Sequence, residues 1–261
     1  MSAPLARLDP AVKLVVVLGL SLLLVLVIDP VTPTLFLALT VAVALAFGGV
    51  RPGLVARALV PLGIVAIGFV WTNALFATTH EPATWTVGPL RASEAGLRFG
   101  LAIAVRGLAI GMLSLAFVWT TDPTDLVVSL IHHARLPFRI GYPLLAGYRF
   151  LPFFADEHAQ VRTARRVRGE LAPRSPGGVA RRALGELVTL LALAVRRATR
   201  IAIAMDARAF AAARRRTYYR AARLRLGDLA FAAGALAMAL ALLALSAAAG
   251  WLRIWDGRFA A

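Results

Sequence analysis

Five apolar runs, at roughly 14–28, 34–47, 59–77, 99–119 and 229–251, punctuate the chain, and a long mixed segment separates the fourth from the fifth. A helix needs about 20 residues to cross the hydrocarbon of a bilayer, with roughly 17 the lower limit. The last three runs meet that length. The first two are short and read either as spans or as a tight hairpin. The pattern predicts an all-α integral membrane protein of about five or six transmembrane helices. Its parts are an N-terminal membrane region over 1–119, a cytoplasmic domain built on a pair of long helices over 120–226, and a C-terminal membrane helix and tail over 227–261. Apolar stretches at 139–154 and 184–195 leave room for further dips into the bilayer.

The segment from 120 to 226 is too long and too regularly patterned for a loop. Asp122-Pro123-Thr124-Asp125 opens a helix, with Asp122 as N-cap, Pro123 at N1 and Asp125 beside the positive end of the dipole. That helix ends near Leu136-Pro137. A second runs from about Arg139 to Arg168 through Tyr148, Phe150 and Phe153, apolar first and basic later. Gly169 suits its C-terminal cap, and Pro173, Pro176, Gly177 and Gly178 read as the break that follows. A third spans about 179–211, apolar over 187–195 and arginine-rich towards its end. Both long helices close on a short arginine motif, Val167-Arg168-Gly169 and Ala207-Arg208-Ala209. Small neighbours leave such an end slender enough to enter a groove, and a guanidinium binds a carboxylate bidentately. The last-turn carbonyls add acceptors for a partner's donors. The same residues also fit a solvated, lipid-facing surface with many arginines, and by spacing alone that reading is the more economical.

Composition moves the picture firmly to the membrane: 60% hydrophobic residues, 16% charged and a mean hydropathy of +0.76. Charge is gathered in one place. Between Gln160 and Leu226 stand seventeen arginines against three acids, +14 of the chain's +16. With the N-terminus inside, Arg7 and Lys13, Arg51 and Arg57, and the arginine block all fall on the cytoplasmic side. The loops left outside, 29–33 and 78–96, are poor in basic residues, and Arg253 and Arg258 then lie outside as well. Positive-inside topology and anionic headgroups account for most of the excess, so nucleic acid is not an expected partner. Asp29-Pro30 stands where a small-residue cleavage site would have to be, so no removable signal is expected. The chain has no cysteine, which excludes disulfides, thiolate catalysis and cysteine-ligated metal. Its sole lysine, Lys13, precedes Leu14 and has no nearby upstream glycine, unlike the lysine of a phosphate-binding loop.

An intramembrane prenyl or phosphatidyl transferase would need paired aspartates to hold magnesium against a diphosphate. Asp122 and Asp125 have such spacing, but Pro123 makes them a helix start. Asp9, Asp29, Asp156, Asp206, Asp228 and Asp256 are scattered and form no second cluster. His132 and His133 are adjacent and diverge by about 100° on a helix; His158 stands alone, and His80 with Glu81 falls in an outside loop. No catalytic residue and no metal site is expected. Arg106 is the one charge deep in the fourth run, where an ionisable side chain faces the bundle interior or snorkels out of it. Gly100, Gly107 and Gly111 around it favour close helix packing, so Arg106, Gly107 and Gly111 are candidates for an intramembrane contact.

Six stretches in order resemble the transmembrane T component of energy-coupling factor (ECF) transporters, ATP-binding-cassette importers of vitamins and transition-metal ions. They are Leu8-Asp9-Pro10-Ala11-Val12-Lys13; Asn73-Ala74-Leu75-Phe76; Thr120 to Leu126; Arg149-Phe150-Leu151-Pro152; Arg165-Arg166-Val167-Arg168-Gly169; and Met205-Asp206-Ala207-Arg208-Ala209-Phe210. The second arginine motif departs from the family's usual Ala-Arg-Gly or Ala-Arg-Ser at Ala209. The resemblance implies a non-catalytic, multi-pass subunit of a prokaryotic cell membrane. Two ABC ATPase subunits, holding ATP and magnesium, would each take one helix end into a groove, with Arg168 and Arg208 each meeting an acidic residue. A small membrane-embedded S component would carry the substrate and pack against this chain, and Arg106, Gly107 and Gly111 would then contact either a neighbouring helix or that component. The permease of a conventional ABC importer would instead show one coupling loop of a different pattern and pair as a dimer. A simple membrane anchor would have no use for two matched helix ends.

Overall fold

The computed structural model describes residues 4–76, 85–87, 90–92, 94–169, 175–210 and 222–251. His80, Glu81, Arg253 and Arg258 lie outside them. Among the described residues the chain forms α1 (Pro10–Leu26), α2 (Val31–Ala46), α3 (Pro52–Phe76), α4 (Glu94–Thr120), α5 (Pro123–His133), α6 (Phe138–Val167), α7 (Pro176–Ala207) and α8 (Leu226–Ala248). Two three-residue strands, β1 (Trp85–Val87) and β2 (Leu90–Ala92), pair antiparallel between α3 and α4, with Thr86 opposite Arg91. The chain divides into two compact units, Met1–Ala134 with Ala222–Ala261, and Arg135–Ala221. The short helix α5 therefore groups with the apolar helices.

Three helices open with the same device, a capping side chain followed by proline at N1. Asp9 accepts from the Ala11 N–H at 2.9 Å, Asp122 from Thr124 at 2.6 Å and Ser175 from Gly178 at 3.2 Å. The third corrects the expectation that Pro176, Gly177 and Gly178 form a break. A proline at N1 lacks only an N–H that would be unsatisfied there anyway, and Ser175 satisfies one of the remaining donors, so the segment starts α7.

In the first unit the apolar helices alternate in direction. The Leu5 N–H donates to the Phe47 carbonyl at 3.3 Å, which brings the end of α2 back to the start of α1. Gly100 of α4 lies against Val70 and Asn73 of α3, and Gly111 against Leu62, so α3 and α4 are antiparallel. A Cβ on Gly100 would sit 3.0 Å from the Val70 Cα, and one on Gly111 3.0 Å from a Leu62 methyl. These two glycines, three turns apart, set the close approach of the two helices. Gly107 between them faces open space.

Helix α4 is the centre of this unit and packs on α1, α2 and α3, while α8 packs on α1 and α2. Leu24, Phe36, Ala109, Leu113 and Ala239 bury one cluster, and Ala44, Val50, Val55 and Met112 a second. The remaining apolar surface points outward: Val60, Ile64, Ile67 and Trp71 on α3 are all largely exposed. Lipid is the solvent that tolerates such a face. Residues 52–75, 96–120 and 226–248 are long and apolar enough to span a bilayer. The 17 residues of α1 and 16 of α2 reach about 25 Å. The fold is that of an all-α, multi-pass membrane protein.

Candidate functional site

The second unit consists of α6 and α7 running antiparallel. Phe210, just past α7, meets Phe138 and Tyr142 at the start of α6 in edge-to-face contacts, with centroids 5.6 and 6.2 Å apart. Arg197 lies over Phe150 and Phe153, at 4.9 and 5.1 Å, and its Nη1 is 3.7 Å from the Glu157 carboxylate. His158 Nε2 donates to Glu186 Oε2 at 3.1 Å, and Arg182 Nε donates to the other oxygen at 3.0 Å. Gly185 leaves room for the Arg165 guanidinium. Contacts thus run along the whole pair, and the two arginine motifs fall at its opposite ends. The 30 residues of α6 alone reach about 45 Å.

Each motif is a helix C-terminus. Arg168 is the C-cap of α6 and Gly169 follows with φ +80°, its N–H donating to the Arg166 carbonyl at 3.0 Å. Arg208 caps α7 and Ala209 follows with φ +54°. Here the Ala209 N–H donates to Asp206 at 2.9 Å and the Phe210 N–H to Met205 at 3.0 Å, a complete Schellman closure. Val167, Arg168, Gly169, Ala207, Arg208 and Ala209 are all exposed, Val167 to 85%. Alanine in the left-handed region bears a Cβ penalty of about 1–2 kcal/mol, offset in part by its smaller loss of backbone entropy. Ala209→Gly is therefore expected to slow amide hydrogen exchange in the last turn of α7; unchanged or faster exchange would contradict this.

Hydrogen bonds from Arg182, and next from His158, hold the Glu186 carboxyl below its ordinary value of 4.5. A carboxylate depressed in this way supports the folded pair fully above its ordinary value and loses that support as pH falls through the depressed one. With spin labels on Thr163→Cys and Arg181→Cys of this cysteine-free chain, the α6–α7 distance distribution should stay narrow at neutral pH and broaden only below about pH 4.5. Glu186→Gln should broaden it at neutral pH as well. A distribution insensitive to both would remove Glu186 from the pairing.

Arg106, half-buried on α4, donates through Nη1 to the carbonyls of Val25 and Val27, at 3.1 and 3.3 Å. Those carbonyls end α1, where helical partners run out. Arg106 thus closes the C-terminus of α1, while Gly107 faces away from the bundle.

The sequence reading missed a buried polar junction on the face where α1 and α8 begin and α4 ends. The Asp9 N–H donates to Asp228 Oδ1 at 2.8 Å, and Ser129 Oγ donates to Asp9 Oδ1. His133 Nδ1 lies 3.2 Å from Ser129 Oγ and 3.7 Å from Asp9 Oδ2. Asp228 Oδ2 accepts from the Arg225 N–H at 2.7 Å. Lys13, 4% exposed, donates to the carbonyls of Thr120 at 2.7 Å and Leu5 at 3.2 Å. Asp9 and Asp228, expected to be unrelated, are therefore neighbours; a separation of 219 residues leaves no trace in spacing. Only the role of Asp9 as a helix cap has a local signal, since Asp9-Pro10 repeats the cap-then-proline pattern of Asp122-Pro123.

Serine, histidine and aspartate here do not form a nucleophilic triad. Ser129 is fully buried, out of reach of a substrate, and its hydroxyl donates its hydrogen bond to the Asp9 carboxylate rather than to His133. Asp122 caps α5, and no group of three His, Cys, Asp or Glu among the described residues could hold a metal ion. The two arginine-tipped helix ends are exposed.

Comparison with known proteins decides the class. The profile of the cobalt transport protein family, CbiQ, matches residues 1–219, most of the chain. The chain belongs to the CbiQ family. It is 29% identical to the energy-coupling factor transporter transmembrane protein EcfT of Streptococcus thermophilus over 232 residues, covering 82% of this chain and 83% of that one. The EcfT of Thermosediminibacter oceani is 29% identical over 237 residues, 86% of each. A Bifidobacterium longum protein named as an ABC transporter ATP-binding protein is 29% identical over 252 residues, 92% of this chain; the match spans only 31% of that longer relative. Family and relatives together make this chain an ECF transporter transmembrane component, the T component.

Proposed function

We propose that this T component is the non-catalytic coupling subunit of an ECF-type importer. It transmits the ATP-driven movement of two ABC ATPase subunits to a separate S component that carries a vitamin or transition-metal ion. The observation that carries this reading is the pair of exposed, arginine-tipped helix ends at opposite ends of one antiparallel helix pair. Val167-Arg168-Gly169 docks in the groove of one ATPase and Ala207-Arg208-Ala209 in the other, each arginine against an acidic residue. ATP and magnesium are bound by the ATPases and not by this chain. The N-terminus and the α6–α7 pair face the cytoplasm, in keeping with the positive-inside distribution. The apolar stripe of Ile140, Leu144, Tyr148 and Leu151 along α6, all exposed, supports a further apolar partner such as the S component.

The test is affinity purification of the tagged chain from its native membrane in mild detergent, with partners identified by mass spectrometry. One or two ABC ATPases together with a small, very hydrophobic protein are expected. Recovery of the chain alone, with ATPases present in the lysate, would overturn the reading.

A further inference from the structure

The chain leaves the membrane unit for α6 through α5 and returns from α7 through the first turn of α8. Both passages are fastened to one residue. On the outgoing side Ser129 of α5 donates to Asp9 Oδ1, and His133, the last residue of α5, lies against Oδ2. On the returning side Asp228, at the third position of α8, accepts from the Asp9 N–H with one oxygen and from the Arg225 N–H with the other. Asp9 is itself the N-cap of α1 and 8% exposed. Asp228 is 2% exposed and Ser129 fully buried. A buried, hydrogen-bonded network of this kind is stiff, because a member that moves alone leaves an unsatisfied group in a low-dielectric place.

We propose that Asp9 is a positioning residue through which displacement of the α6–α7 pair is delivered to α1. Helix α5 and the first turn of α8 are both hydrogen-bonded to the cap of that helix, so a displacement of either acts on the start of α1. Ser129 serves the outgoing passage and Asp228 the returning one. Helix α4 runs into α5 and is itself tied to α1 through Lys13 and Thr120, whereas α3 meets α4 through packed glycines, which slide more readily than buried hydrogen bonds break. The inference rests on the coupling-subunit reading above.

The experiment uses the full chain purified with its ATPases, and two spin-label pairs. Thr163→Cys with Ile203→Cys, one near each tip of the α6–α7 pair, reports movement of the tips. Leu18→Cys with Ile67→Cys reports α1 against α3. On addition of magnesium and a non-hydrolysable ATP analogue, both distances should shift in the parent and in Asp9→Asn, which keeps an acceptor for Ala11 and Ser129. In Asp9→Ala the tips should still move, and the α1–α3 shift should fall, because the acceptor for Ser129 is lost while the backbone N–H that donates to Asp228 remains. Ser129→Ala, which deletes one buried hydroxyl and leaves the helix cap intact, should reduce that shift as well, and it carries the test if Asp9→Ala does not assemble. A full α1–α3 shift in Ser129→Ala or Asp9→Ala overturns the inference. Motionless tips in the parent would overturn the coupling-subunit reading itself, and the inference with it.

Discussion

Replacing Arg168 and Arg208 together by glutamate is expected to abolish ATP-driven uptake while the chain remains inserted in the membrane. Both side chains are exposed on helix C-termini, and the helices beneath them are held by contacts further along α6 and α7. The substitutions therefore alter docking without disturbing the fold. Removing one partner of a buried, hydrogen-bonded charge pair typically costs about 2–5 kcal/mol of binding, much of it from the charge left unpaired. At 1.4 kcal/mol per decade, a single lost site weakens association by roughly 30-fold to several thousand-fold. Charge reversal would add repulsion against the acidic groove proposed for each ATPase. Each single variant should release one ATPase and keep the other, since the two ends lie far apart and have no shared contact. The readouts are substrate uptake, ATPase recovery on the purified chain, and membrane fractionation. Uptake at the normal rate in the double variant would refute the assignment of these two arginines.

Lys13→Met should lower the stability of the membrane unit by about 3–5 kcal/mol, the usual effect of removing one member of a buried charged network. Lys13 is the sole lysine in the chain, and its ammonium serves two carbonyls belonging to different segments, Leu5 and Thr120. Asp9 caps the same helix one turn earlier, so a carboxylate shares its buried surroundings. Methionine fills a similar volume, so the loss is chiefly of charge and hydrogen bonds and not of packing. Thermal unfolding in detergent, followed by tryptophan fluorescence, should move to markedly lower temperature. An unchanged transition would mean that this carboxylate is balanced by some other group.

The same residues show how much of this molecule was legible in advance. The apolar runs give the all-α membrane fold because lipid imposes a composition and a length that no soluble helix needs to meet. The ends of α6 and α7 were legible within a few residues, since a glycine or small residue after a basic turn is a local signal. Pro176 was misread because proline both breaks helices and starts them, and only the serine before it distinguishes the two. Asp9 and Asp228 were beyond reach: their contact is made by the folding of α1 against α8, and nothing local to either marks it. Arg106 showed its unusual depth in the sequence, but the carbonyls it serves belong to another helix.

Two helices of nearly equal length, 30 and 32 residues, laid antiparallel possess a local dyad. A perpendicular two-fold exchanges α6 with α7 and Arg168 with Arg208, so one asymmetric polypeptide can meet a pseudo-symmetric pair of proteins without being a dimer itself. The dyad is imperfect where it matters most: one end closes on Gly169 and the other on Ala209 with Phe210 clasped by Phe138 and Tyr142. Two partners of identical sequence would consequently find themselves in unlike seats.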